Sequence, residues 1–147
     1  MPQVDFYVLP SADPAGRQLF TCRLAEKAWK AGHRVFIRVN DAAEAATLDD
    51  RLWTFRQGSF VPHTLAENHE NDPLATVLIG TGAAPEDHRD LLINLTPAVP
   101  EDWRTFQRIA EIVDQDEAVR RAGREKYRFY RNQAIKPETH KLDRTVA

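Results

Sequence analysis

Short, almost wholly apolar runs alternate along the chain with stretches whose apolar residues return every three or four positions. Val4-Asp5-Phe6-Tyr7-Val8-Leu9 predicts a first strand and Arg34 to Val39 a second. Thr76-Val77-Leu78-Ile79-Gly80 and Leu91-Leu92-Ile93-Asn94-Leu95 predict two more, apolar enough to be covered on both faces. Between the first two strands, Asp13-Pro14 supplies an N-cap and a first-turn proline, Phe20, Leu24 and Ala28 recur at helical spacing, and Gly32 closes the helix. Asn40 or Asp41 caps a second helix with the stripe Ala45, Leu48, Leu52 and Phe55. Further on, Trp103, Phe106, Ile109 and Ile112 or Val113 predict a helix from Asp102 to Val113, and another follows from about Glu117 to Asn132.

A βαβα opening followed by more buried strands implies a three-layer α/β/α sandwich, Rossmann-like, with a largely parallel sheet. Residues 1–134 are expected to form a single α/β domain and residues 135–147 a loose tail. The polar stretch from Glu67 to Pro73 reads as a loop.

Composition narrows the function. With 42% hydrophobic and 29% charged residues, the 147-residue chain has the balance of a soluble globular protein. Its single cysteine, Cys22, rules out an intrachain disulfide and fits a reducing cytosol, so a cytoplasmic location is expected. No secretory signal or membrane span is expected either. The formal net charge of −2 argues against wholesale coating of DNA.

Enzymatic motifs are missing. The loop after the first strand, Pro10 to Gly16, lacks the closely spaced glycines of a dinucleotide site, and Gly80-Thr81-Gly82 reads as a plain turn. The five histidines (His33, His63, His69, His88 and His140) show neither a His-Glu-x-x-His helix nor a close His/Asp cluster. Ser11 and Ser59 lack a nucleophile elbow, and Cys22 reads as a small hydrophobe. No catalytic residue, metal or cofactor is expected.

One segment departs from a solvated background. Arg120 to Arg131 carries six basic residues and one acid, +5 in a chain whose remainder sums to −7. At roughly 100° per residue, Arg120, Arg124, Tyr127, Arg128 and Arg131 share one helical stripe. Arg120/Arg124 and Arg124/Arg128 repeat like charges at i,i+4, a strain that an anionic partner would relieve. Val119, Ala122, Phe129 and Tyr130 are expected to face the core. Lys126 lands near the centre of that face, where its stem would have to snorkel. Trp53 points roughly 120° away from the core stripe of its own helix, and Phe60 follows that helix in Ser59-Phe60-Val61-Pro62-His63. If the basic helix packs beside them, cationic and aromatic groups share one pocket rim.

The chain resembles the chi subunit family of bacterial DNA polymerase III holoenzyme. The resemblance runs in order through Phe6-Tyr7-Val8-Leu9, Leu24 to Val35, Leu48-Asp49 to Leu52-Trp53, Ser59 to His63, Leu91 to Leu95 and Arg124 to Arg131. It implies a non-catalytic accessory subunit of the clamp-loader complex that docks the acidic C-terminal tail of single-stranded-DNA-binding protein. It also implies the psi subunit as a partner where one exists, and only indirect contact with the clamp loader and single-stranded DNA. Carried over by position, the tail site would use Trp53, Phe60, Arg120, Arg124, Tyr127 and Arg128, with its apolar floor unassigned. The competing expectations are direct single-stranded nucleic-acid binding through the same arginines and a nucleotide-dependent enzyme on a Rossmann-like sheet.

Overall fold

Local capping follows the sequence closely. The Asp13 carboxylate accepts the backbone N–H of Ala15 and Pro14 opens α1 (Pro14–Lys30), after which Gly32 takes φ +87°. Asp41 caps α2 (Ala42–Thr54) through the N–H of Glu44, and Asp116 caps α3 (Glu117–Asn132) through that of Val119. The protein is described by a computed structural model that covers residues 1–71 and 74–143.

Among the described residues, seven strands join in one parallel sheet: β1 (Gln3–Val8), β2 (Val35–Arg38), β3 (His63–Leu65), β4 (Val77–Gly80), β5 (Leu91–Asn94), β6 (Arg108–Val113) and β7 (Glu138–Lys141). Their order is β3-β4-β2-β5-β6-β1-β7. α1 and α2 cover one face, where Phe20, Ala25, Leu48 and Leu52 pack on Ile37, Ile79, Ile93 and Ile112. α3 covers the other, where Tyr130 packs with Phe6, Leu92, Ile109 and Trp103. The three-layer α/β/α arrangement follows directly from strands apolar on both faces.

Two expectations are corrected. The segment from Asp102 to Val113 is not a helix: a 3-10 turn at Trp103–Thr105 leads into β6, which lies between β5 and β1. Ile109, Ala110, Ile112 and Val113 are buried on both sides of the sheet, and their three-residue echo of Trp103 and Phe106 only imitates a helical stripe. The segment after Ala134 is not loose through its first part. Ala134 turns the chain at φ 63°, Ile135 is buried, and β7 pairs with β1 from Asp5↔Glu138 to Val8↔Lys141. Overlapping the stretch expected as a polar loop, Ala66–Asn71 forms a 3-10 segment, while residues 72–73 and 144–147 lie outside the described residues.

Candidate functional site

The basic helix is held down by a buried polar network. Lys126, expected to snorkel, sends its ammonium into the core and donates to Glu111 Oε1 at 2.6 Å and to the Thr96 carbonyl at 2.8 Å. The Tyr130 hydroxyl and the Asn94 amide both donate to Glu111 Oε2, at 2.9 and 3.0 Å. Burial first, and then the Glu111 charge, push the Tyr130 phenol well above its ordinary value. Gly123 lets the helix sit low, because a Cβ there would stand 3.0 Å from Val113 Cγ2.

This seating opens a hollow of about 260 Å³ between α3 and the β6-β1-β7 part of the sheet. Phe6, Val8, Val113 and Gly123 make its apolar lining, Thr139 closes the β7 side, and Arg120, Arg124 and Tyr127 stand along α3. The Tyr127 ring lies 5.4 Å from that of Phe6. Among the described residues, Arg120, Arg124, Arg128 and Arg131 have no ion-pair partner, whereas Arg121 reaches Glu117 at 3.1 Å. Arg128 is exposed on the same helix but does not line the hollow. Free guanidinium forks beside an apolar hollow suit a carboxylate attached to a hydrophobic group, since each fork can make two parallel charge-assisted hydrogen bonds.

Sequence reasoning missed the floor. Phe6 and Val8 are far from α3 along the chain, and only their shared strand face together with the glycine at position 123 hinted at a close approach there.

Trp53 and Phe60 do not share this hollow. Their rings pair with each other at 5.4 Å, and Trp53 also lies 4.5 Å from the His63 ring. Both are exposed, 49% and 61%. They flank β3, five strand steps from β1 in the sheet order, which is roughly 24 Å at the usual spacing. α2, which carries Trp53, also packs on the face opposite α3. The single pocket rim expected from the sequence is therefore two separate surfaces.

The aromatic pair has its own support. Glu26 of α1, almost fully buried, accepts from Arg56 at 2.5 Å and from the Ser59 hydroxyl, pinning the 55–60 loop. Burial works against the Glu26 charge, but the Ser59 bond, Arg56 and Lys30 outweigh it and hold the carboxyl below its ordinary value. Gly58 at φ +80° makes the turn, and both nitrogens of His63 lie beside backbone carbonyls, Val61 at 2.6 Å and Asp49 at 3.1 Å.

The remaining candidates behave unevenly. Cys22 is buried and its thiol is pushed up to about 12 by burial, in keeping with a packing role. Gly80 leaves no room for a side chain, since a Cβ would lie 2.7 Å from that of Ala66. The histidines contradict the expectation of no close His/Asp cluster: His69, Asp87 and His88 converge, as do Asp5, Glu138 and His140. Residues distant in sequence meet only once the sheet forms.

Residues 1–138 match the family described as DNA polymerase III chi subunit, HolC. The chain belongs to that family. A protein of Pseudomonas aeruginosa named DNA polymerase III subunit chi is 49% identical over 98% of this chain and 99% of its own length. Proteins of the same name from Haemophilus influenzae and Escherichia coli are 32% and 29% identical, over 87% and 75% of this chain and 89% and 75% of theirs. The crystal structure of T4 UvsW shares the fold of this chi-family chain, with a TM-score of 0.64 and 7% identity, over 95% of this chain and 42% of that one. No helix among the described residues is long and apolar enough to cross a membrane.

Proposed function

We propose that this chi-family chain is a non-catalytic accessory subunit of DNA polymerase III that docks the acidic C-terminal tail of single-stranded-DNA-binding protein in the α3 hollow. The observation that carries the reading is the combination of free Arg120 and Arg124 guanidinium groups with an apolar floor of Phe6, Val8 and Val113. A terminal carboxylate takes the forks, a terminal aromatic ring enters against Tyr127 and Phe6, and upstream acids meet Arg128 and Arg131. So small an anchor supports an affinity of roughly 1 μM, about −8 kcal/mol.

The Trp53–Phe60 edge is a second docking face in this reading, suited to the apolar side of a psi subunit that links the chain to the clamp loader. Two faces on opposite sides of one sheet would let the chain bridge two partners at once.

Titration of a short acidic peptide with a C-terminal phenylalanine tests the assignment. Arg124→Glu should weaken binding at least about tenfold, and Trp53→Ala should leave it unchanged. Unchanged affinity in Arg124→Glu sinks the reading. So would an oligonucleotide that binds more tightly than the peptide in the same buffer, with the steep salt dependence of phosphate neutralisation.

A further inference from the structure

His69, in the 3-10 segment after β3, and the adjacent pair Asp87-His88, in the loop before β5, bring three ligand atoms within 4.8 Å of one another. His88 is fully buried, and its Nε2 lies 2.8 Å from the Ala75 carbonyl. A carbonyl only accepts, so Nε2 carries the hydrogen and Nδ1 turns towards Asp87 Oδ1 at 2.9 Å. Two lone-pair groups that close require a shared cation, either a second proton or a metal ion.

His69 distinguishes the two. Its ring stands at 83° to that of His88 with centroids 5.1 Å apart, and its Nε2 is 3.7 Å from the same Asp87 oxygen, too far for a hydrogen bond. Its Nδ1 is shut away from solvent without a hydrogen-bond partner among the described residues. A proton on His88 leaves His69 Nε2 without a bond to the Asp87 oxygen it faces. A metal ion would draw Nε2 into a bond.

From this we infer that His69, Asp87 and His88 form a binding site for a zinc-class divalent ion, with solvent completing the coordination on the open Asp87 side. The spacing suits zinc: tetrahedral bonds of about 2.0–2.2 Å separate ligand atoms by roughly 3.3–3.6 Å, between the 2.9 and 3.7 Å found here. The Ala75 carbonyl already supplies the outer hydrogen bond that orients a ligating imidazole. Arg34 approaches Asp87 through the other carboxylate oxygen, at 4.0 Å, and leaves Oδ1 to the ion. Asp5, Glu138 and His140 are a weaker candidate, because the Arg108 guanidinium already lies 3.1 Å from Asp5 and supplies the positive charge there. The ion would tie the segment after β3 to the loop before β5, stiffening the sheet edge that carries Trp53 and Phe60.

The test uses the full chain, freed of metal with a chelator and titrated with Zn²⁺ by calorimetry, with Co²⁺ absorption as a second readout. Saturable one-to-one binding, an intense tetrahedral Co²⁺ spectrum and a higher melting temperature with Zn²⁺ are expected. His69→Ala and Asp87→Asn should each weaken binding at least about tenfold with unchanged circular dichroism, while His140→Ala should bind like the parent. Parent-like affinity in His69→Ala, loss of the site in His140→Ala, or no saturable Zn²⁺ uptake by the parent would each overturn the assignment.

Discussion

Replacing Lys126 with methionine isolates what the buried network contributes. Methionine matches the lysine stem in length and fits the apolar walls, so packing changes little. The Glu111 carboxylate, fully buried, keeps only the Tyr130 and Asn94 donors, and the Thr96 carbonyl loses its partner. Removing one member of such a pair costs about 3–5 kcal/mol because the other charge stays buried. That is a large share of the roughly 5–15 kcal/mol that holds a typical domain together. At about 2–4 °C per kcal/mol for a chain of this size, the melting temperature should fall by roughly 6–20 °C. Urea titration followed by circular dichroism measures the loss. Adding Glu111→Gln to Lys126→Met removes the stranded charge and should restore part of it. A loss below about 1 kcal/mol for the single variant, or no recovery in the double, would refute the account of why a lysine sits in the core.

Two further outcomes follow from local geometry. Gly123→Ala gains about 1 kcal/mol of helix propensity but sets a methyl 3.0 Å from Val113 Cγ2, so Val113, which lines the hollow, or α3 itself must give way. Acidic-peptide affinity should fall severalfold while stability changes by less than about 1 kcal/mol, and unchanged peptide binding would show that the helix seat does not shape the hollow. Arg38 reaches Asp102 through two 2.9 Å bonds, and although burial alone would raise that carboxyl, the Arg38 bonds and charge outweigh it and hold it below its ordinary 3.8. A carboxyl with a depressed folded value contributes stability that is complete above its unfolded value and is lost as pH falls through the folded one. The urea midpoint should therefore drop on acidification below about pH 4 more steeply in the parent than in Asp102→Asn, and parallel profiles would refute the linkage.

Elements set by local chemistry were legible in the chain. Caps at Asp13 and Asp41 and apolar runs at β1, β2, β4 and β5 announce themselves within a few residues. β6 was not, because Ile109 and Ile112 fit a helical spacing as well as a strand, and pairing between β5 and β1 decided the matter. β7 is short and mostly exposed, so its membership of the sheet rests on backbone hydrogen bonds that no side-chain pattern records. The arginine stripe was visible because helical periodicity alone brings Arg120, Arg124 and Tyr127 together. Whether Trp53 and Phe60 joined them depended on strand order, a long-range property that a local reading cannot supply.

The hollow's β7 wall has a consequence for biogenesis. Thr139 of β7 faces the hollow beside Phe6 and Val8 of β1, so residues from near both ends of the sequence must meet before the cavity closes. A nascent chain still short of β7 could already display its tryptophan–phenylalanine pair, yet would lack one side of the arginine-lined cleft. A chain truncated before Glu138 should therefore keep the Trp53–Phe60 ring pair while losing the Thr139 wall of the hollow.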